Sequence, residues 1–315
     1  MKLSIVTTLY RSAPYVDEFF LRACLAARQH VGEDFEIIFV NDGSPDDSLE
    51  IAVRLTQASS NVRVIDLSRN FGHHQAMMTG LRAASGEKVF LIDSDLEEEP
   101  ECLSEFMTRM TNDQSDMVYG IQANRKGGAF EKITGALFYR AFRFLTGVAQ
   151  PNNIVTARLM TARYVAALLS HKEREINIGG LWIVTGFKQS QHQIVKLSTS
   201  PTTYSLARKL SHLVNAVTSF SSLPLVFTFY TGLLLSASAL AFILYLLFRY
   251  FFVASPPDGY TSIVASIWFF SGLIIFFLGV QGIYIAKVFS EVKGRPLTIV
   301  RQIYGQSSSR IVNHE

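Results

Sequence analysis

Short apolar runs separated by amphipathic stretches open the chain. LSIVTTLY ending at Tyr10, FEIIFVND ending at Asp42, VRVIDLS ending at Ser68 and KVFLIDSD ending at Asp95 each read as a buried strand, and DMVYG ending at Gly120 as a fifth. Between them Tyr15 to Val31, Ser48 to Ala58, Gln75 to Ala84 and a stretch from near Glu101 to Met110 repeat apolar residues at helical spacing. Alternation at these intervals predicts an α/β fold, a mostly parallel sheet with helices on both faces. Ligands of such sheets bind beyond the carboxyl ends of the strands. NDGSPDDS, SRNFGHH and DSDLEEEP leave those ends and are expected to share one crevice.

The last third has a different pattern. Leu225 to Ala254 and Ile263 to Phe289 are apolar stretches, each longer than the roughly 20 residues that cross a bilayer core, so residues 225–290 predict a two-helix transmembrane hairpin. SPPDGYTS between them carries no Lys or Arg, whereas Arg208 and Lys209 precede the pair and Lys287, Lys293, Arg295 and Arg301 follow it. Both flanks are then expected in the cytoplasm and the short loop outside. Residues 1–200 become a cytosolic domain, 201–224 (with Tyr204, Arg208, Lys209 and His212) an amphipathic juxtamembrane segment, and 291–315 a cytosolic tail. The start, Met1-Lys2 followed by a strand-like run rather than a secretory signal, agrees with that orientation.

Charge adds little at the level of the whole chain: a net +3 argues neither for nor against nucleic acid, and no nucleic acid is expected as a partner. Cys24 and Cys102 stand far apart without metal-type spacing, which fits two unpaired thiols in a reducing compartment.

Local charge is more telling. Asp93-Ser94-Asp95 ends an apolar strand, and carboxylates two residues apart can hold one hard divalent cation, Mg²⁺ or Mn²⁺, that takes its remaining ligands from phosphates. Such a cation would neutralise a diphosphate leaving group. Asp42 is placed to accept from a base or ribose, with Gly43 and Ser44 allowing a tight turn, or else to cap the helix that begins near Ser48. Arg69, Asn70 and Gly72 precede a helix, where a cation, a glycine and the helix N-terminus all favour phosphate oxygens. His73 and His74 read as surface residues without a metal role. Arg125 and Lys132 in NRKGGAFEK are candidates for an acceptor phosphate, or an ordinary solvated basic loop.

These segments, with YG-x-x-x-x-R from Tyr119 to Arg125, ARLMTARYV, GLWIVTGFKQ, TSFSSLPL and EVKGRPLTIV, run nearly end to end, and together the chain resembles the inverting family-2 glycosyltransferases of the polyprenyl-phosphate type, such as dolichyl-phosphate mannose synthase and bactoprenol glucosyltransferases. The resemblance implies a GT-A fold, whose sheet is Rossmann-like, and a nucleotide-sugar donor, UDP-sugar favoured. It implies Asp42 on the nucleotide, Asp93 and Asp95 beside the diphosphate and Mg²⁺ or Mn²⁺, and Arg125 at the acceptor phosphate. Thr8, Tyr10, Ser44 and Ser94 join Arg69, Asn70 and Gly72 as donor-side candidates, and Arg158 joins Arg125 and Lys132 on the acceptor side. The two-span anchor resembles the bactoprenol branch, which points to a polyprenyl phosphate, to the inner (cytoplasmic) membrane and to a candidate homo-tetramer. No QxxRW signature follows, so the chain does not resemble a processive polysaccharide synthase. Three departures stand out: Arg11-Ser12 replaces the usual Asn-Glu pair, Thr156 replaces an acidic residue two before Arg158, and LSTSPTTYS replaces a basic stretch, leaving Lys196 and Tyr204 as weak substitutes. The donor site is therefore the better preserved. Thr156 and Arg11 motivate a rival reading, a membrane-tethered nucleotide-sugar-binding protein with impaired turnover, and LSTSPTTYS motivates another acceptor.

Overall fold

The computed structural model describes residues 1–122, 153–173, 178–195, 218, 221–252 and 259–305. Their contacts divide them into an α/β unit, which includes residues 295–305, and a helical unit ending at Gly294. Arg125, Lys132, Lys196, Tyr204, Arg208, Lys209 and His212 lie outside the described residues.

In the α/β unit the strands are β1 (Leu3–Leu9), β2 (Phe35–Asn41), β3 (Val62–Leu67), β4 (Lys88–Leu91), β5 (Met117–Gln122), β6 (Ile154–Thr161), β7 (Gln189–Ile194) and β8 (Val300–Tyr304). They form one sheet in the order β7-β5-β6-β4-β1-β2-β3-β8. The β1–β2, β1–β4, β2–β3 and β5–β7 pairs are parallel, and β6 and β8 bring in the antiparallel ones. The helices are α1 (Val16–Val31), α2 (Ser48–Ala58), α3 (His73–Ala83), α4 (Leu103–Asp113), α5 (Ala162–Leu169) and α6 (Ile178–Val184).

Every residue of β1, β2 and β3 is buried, which is why these strands read as continuous apolar runs rather than alternating ones. The period of two still sorts their side chains. Ile5, Ile37 and Val64 join Phe19, Leu55 and Phe106 from α1, α2 and α4 on one face, while Val6, Ile38 and Ile65 join Met77, Leu81 and Leu168 from α3 and α5 on the other. Gly80 lets α3 press onto the sheet: a Cβ there would lie 2.9 Å from Val40 Cγ2 and closer still to Val6 Cγ1.

One feature differs from the sequence expectation. The segment 291–315, expected to be a tail, instead supplies β8, which closes the β3 edge because its main chain completes the β3 ladder. The C-terminal helices are α7 (Leu223–Phe252) and α8 (Tyr260–Val292). Among the described residues one helix is long and apolar enough to cross a membrane, Ser266–Val292, with mean hydropathy 2.0 and none of its most apolar window buried, while Leu223–Leu235 is a shorter apolar stretch. Trp268 and Ile275 on α8 are largely exposed, an apolar surface of the kind that fits a lipid environment rather than water. Within this unit Tyr284 Oη donates to the Ser221 carbonyl at 2.6 Å.

Candidate functional site

Four loops leave the carboxyl ends of β1, β2, β3 and β4, and their own side chains tie them together. After β1, Arg11 adopts the left-handed backbone with φ 57°, and its N–H donates to Ser44 Oγ at 2.7 Å. Ser12 N–H donates to Ser48 Oγ and Ala13 N–H to Asp46 Oδ2, so the β1 loop is clipped to the β2 loop. Asp46 is the hub of that clip, because it also accepts from Ser44 Oγ and from the N–H and Oγ of Ser48. Asp42 does not cap α2: the N-cap is Asp47, and the carboxylate that accepts from the first N–H of the helix, at Ser48, is Asp46.

Burial pushes the Asp46 carboxyl up, but the Ser44 and Ser48 hydroxyls and the Ala13 and Ser48 N–H groups outweigh it and bring the pKa from 3.8 to about 2. A depressed carboxylate contributes stability above its unfolded value, lost as pH falls through the folded one. The stability gap between wild type and Asp46→Asn, read from denaturant unfolding, is therefore expected to shrink as pH falls from about 4 to about 2. A gap that stays constant over that window removes Asp46 from this role.

Asp42 instead organises the β3 loop. Its Oδ1 and Oδ2 accept from the Phe71 and Gly72 N–H groups at 2.7 and 3.0 Å. Burial raises the Asp42 pKa, against the opposing pull of those donors and of His73 and Arg69. Gly43, at φ 60°, makes the approach of the two loops feasible, since a Cβ there would lie 2.5 Å from Asn70 N and 2.6 Å from Arg69 C. Arg69 is exposed, with its guanidinium over the Phe71 ring and one donor on the Asn70 carbonyl. Asn70 and Tyr10 are also exposed, and Gly72 precedes α3.

The acidic loop after β4 is anchored from within. Ser94 is buried, its Oγ 2.9 Å from the Thr8 carbonyl and 3.1 Å from Ser12 Oγ, so its hydroxyl fastens the loop to β1 rather than facing a ligand. Asp95 Oδ1 accepts from Glu97 N–H at 3.0 Å. Glu98 is fully buried and accepts from Thr156 and Ala157 N–H at 3.1 and 2.6 Å, so an acid from this loop lies on the backbone of the position where Thr156 replaces an acid.

No local signal in the sequence sets His73 apart from its neighbour His74. Half-exposed at the start of α3, His73 places Nδ1 3.0 Å from Thr8 Oγ1 and Nε2 3.3 Å from Asp93 Oδ1. Thr8, His73 and Asp93 thus form one row across the ends of β1, α3 and β4. Burial lowers the imidazole pKa, but the Asp93 hydrogen bond and the charges of Asp93, Asp42 and Asp95 leave it raised overall. A helical moment marks the buried face of α3, but nothing in sequence spacing says that its first residue faces a carboxylate.

Arg158, expected on the acceptor side, is buried instead. Its side chain is 1% exposed, stacked on the Trp182 ring and donating to the Val155 and Thr156 carbonyls. Placed so, it has no solvent face for an acceptor phosphate; it braces β6 instead.

No group of three or more His, Cys, Asp and Glu is arranged to hold a metal ion among the described residues. Asp93 and Asp95 are nonetheless the right donor chemistry for Mg²⁺ or Mn²⁺ that takes most of its ligands from phosphate and water. The residues fit such an ion as a shared site, not as a closed protein cage.

Comparison with known proteins gives the family. The model of Glycosyl transferase family 2 matches residues 4–167. A Mycobacterium tuberculosis (strain CDC 1551 / Oshkosh) protein described as a glycosyltransferase is 49% identical, over 97% of this chain and 89% of its own length. The Bacillus subtilis (strain 168) glycosyltransferase YkcC is 32% identical, over 99% and 97%. The bactoprenol glucosyl transferase of Shigella phage SfII is 27% identical, over 96% and 98%. The chain therefore belongs to glycosyl transferase family 2 and is a glycosyltransferase.

Proposed function

We propose that the protein transfers a sugar, with inversion, from a nucleotide sugar, UDP-sugar favoured, to polyprenyl phosphate at the cytoplasmic face of the inner membrane, for synthesis or modification of cell-surface glycan. The observation that carries this reading is the gathering of His73, Asp93 and the exposed Arg69 around Asp42 on the loops at the carboxyl ends of the strands. The name of the phage relative supports a polyprenyl acceptor, and the apolar Ser266–Val292 stretch supports a membrane location. In this reading α7 and α8 both span the membrane, with the α/β unit in the cytoplasm.

Asp42, expected on the nucleotide, is buried with both oxygens on the Phe71 and Gly72 N–H groups, so it shapes the turns that hold the nucleoside rather than facing it. Asp93 and Asp95 would hold the Mg²⁺ or Mn²⁺, which supplies charge neutralisation at the diphosphate. Arg69 adds a donor to the same oxygens, and Arg125 and Lys132 receive the acceptor phosphate. A phosphate oxygen of the lipid forms a bond to the anomeric carbon as the bond from that carbon to the diphosphate oxygen breaks, and the nucleoside diphosphate leaves. The acceptor is already ionised near neutral pH, so no proton has to be removed, and Thr156 in place of an acid is compatible with turnover.

Radiolabelled nucleotide sugars offered to the purified, detergent-solubilised protein with undecaprenyl phosphate are expected to give a labelled, organic-soluble and mild-acid-labile lipid with Mg²⁺ or Mn²⁺ and none with EDTA. Tight donor binding without lipid product would overturn the polyprenyl acceptor.

A further inference from the structure

After α8 the chain returns to the α/β unit as β8, which pairs Asp66 with Gln302 and Leu67 with Val300. Arg301 falls between those pairs as the extra residue of a bulge, a feature that re-aims a side chain at a sheet edge. Its guanidinium lies 3.3 Å from Asp66 Oδ2 and donates to the Ser68 carbonyl at 2.6 Å. Asp66 is 1% exposed, and its other oxygen accepts from Asn41 Nδ2 at 2.8 Å. Asn41 Oδ1 in turn accepts from Ser44 N–H at 3.2 Å. On the other side Ser68 N–H donates to the Ile299 carbonyl at 2.9 Å, immediately before Arg69 and Asn70.

A single side chain from the far end of the sequence thus holds the carboxyl ends of β2 and β3, from which the turns at Ser44 and Arg69 depart. We infer that Arg301 is a positioning residue for the nucleotide: through Asp66 and Asn41 it sets the turn at Ser44, and through Ser68 the turn at Arg69. This rests on the reading of those turns as the donor site. The pair itself is half open to solvent, 57% on the Arg301 side, so by itself it adds little to stability. Its consequence lies in where the two turns stand.

The test uses the full chain in detergent, with UDP as the probe: UDP affinity by calorimetry, and donor KM and kcat in the lipid-transfer assay. Arg301→Gln is expected to weaken UDP binding and raise donor KM about fivefold with kcat nearly unchanged. Arg301→Lys, which keeps the charge without the fork, is expected to fall between, and Gln302→Ala on the same strand to match wild type. A purely structural role would lower the unfolding temperature and leave UDP affinity alone, so equal affinity in wild type and Arg301→Gln overturns the inference. Should Arg301→Gln not fold, equal affinity in Arg301→Lys overturns it as well. A wild-type protein that binds no nucleotide would instead bring down the functional reading on which the inference stands.

Discussion

Asp95→Asn is expected to lower sugar transfer by about 100-fold or more, the scale on which removal of one preorganised charge-stabilising group acts. The substitution isolates charge from shape. Asp95 Oδ1 accepts from the Glu97 N–H at 3.0 Å, and the amide oxygen of asparagine can accept the same bond, so the turn through Leu96 at φ 58° is retained. The acidic loop remains anchored independently, by Ser94 on the Thr8 carbonyl and by Glu98 on the β6 backbone. What the variant loses is half of the paired negative charge that would hold Mg²⁺ or Mn²⁺ against a diphosphate. Transfer rates measured across a range of Mn²⁺ concentrations check this, alongside the unfolding temperature. The expected pattern is a lost rate at an unchanged unfolding temperature, and wild-type rates at every Mn²⁺ concentration would remove the carboxylate pair from the chemistry.

The parts of this site that were legible in sequence are those whose signal is local. Strands β1 to β4 are short apolar runs, and Asp42, Arg69 and Asp93 come within two residues of the ends of β2, β3 and β4, so alternation alone places them at the carboxyl edge. What escaped depends on tertiary placement. His73 looks like one of two solvated histidines until α3 docks and sets it between Thr8 and Asp93. Asp46 and Asp42 are both acids near one turn, and only the direction of the backbone N–H groups from the β1 and β3 loops separates the clip from the loop organiser. Strand β8 has five residues and follows a long apolar helix, so its partner, more than 230 positions earlier in the chain, leaves no local trace. Ser94 and Arg158 are polar residues beside a predicted crevice that face the interior, the one distinction that spacing around a motif does not make.

Arg158→Ala is expected to destabilise the α/β unit by about 3–5 kcal/mol, because it removes a large buried side chain and the partner of several buried groups at once. Arg158 stands opposite Leu91 on β4 and Tyr119 on β5, in the middle of the antiparallel part of the sheet. Burial lowers its pKa to about 9, a pull that the charges of Glu98 and Asp93 and the neighbouring Tyr164 and Tyr119 resist, so at neutral pH it remains a cation beneath the acidic loop. Alanine would leave a cavity over Trp182, two carbonyls without their donor, and less positive charge near Glu98 and Asp93. Arg158→Met separates these contributions, since it fills most of the volume but restores neither charge nor donors. If packing dominates, the methionine variant recovers most of the stability in denaturant unfolding; if the orphaned carbonyls and unpaired charge dominate, it unfolds almost as readily as the alanine variant. Were Arg158 an acceptor-phosphate ligand, Arg158→Met would instead unfold like wild type and fail in lipid transfer with a raised KM for the polyprenyl phosphate.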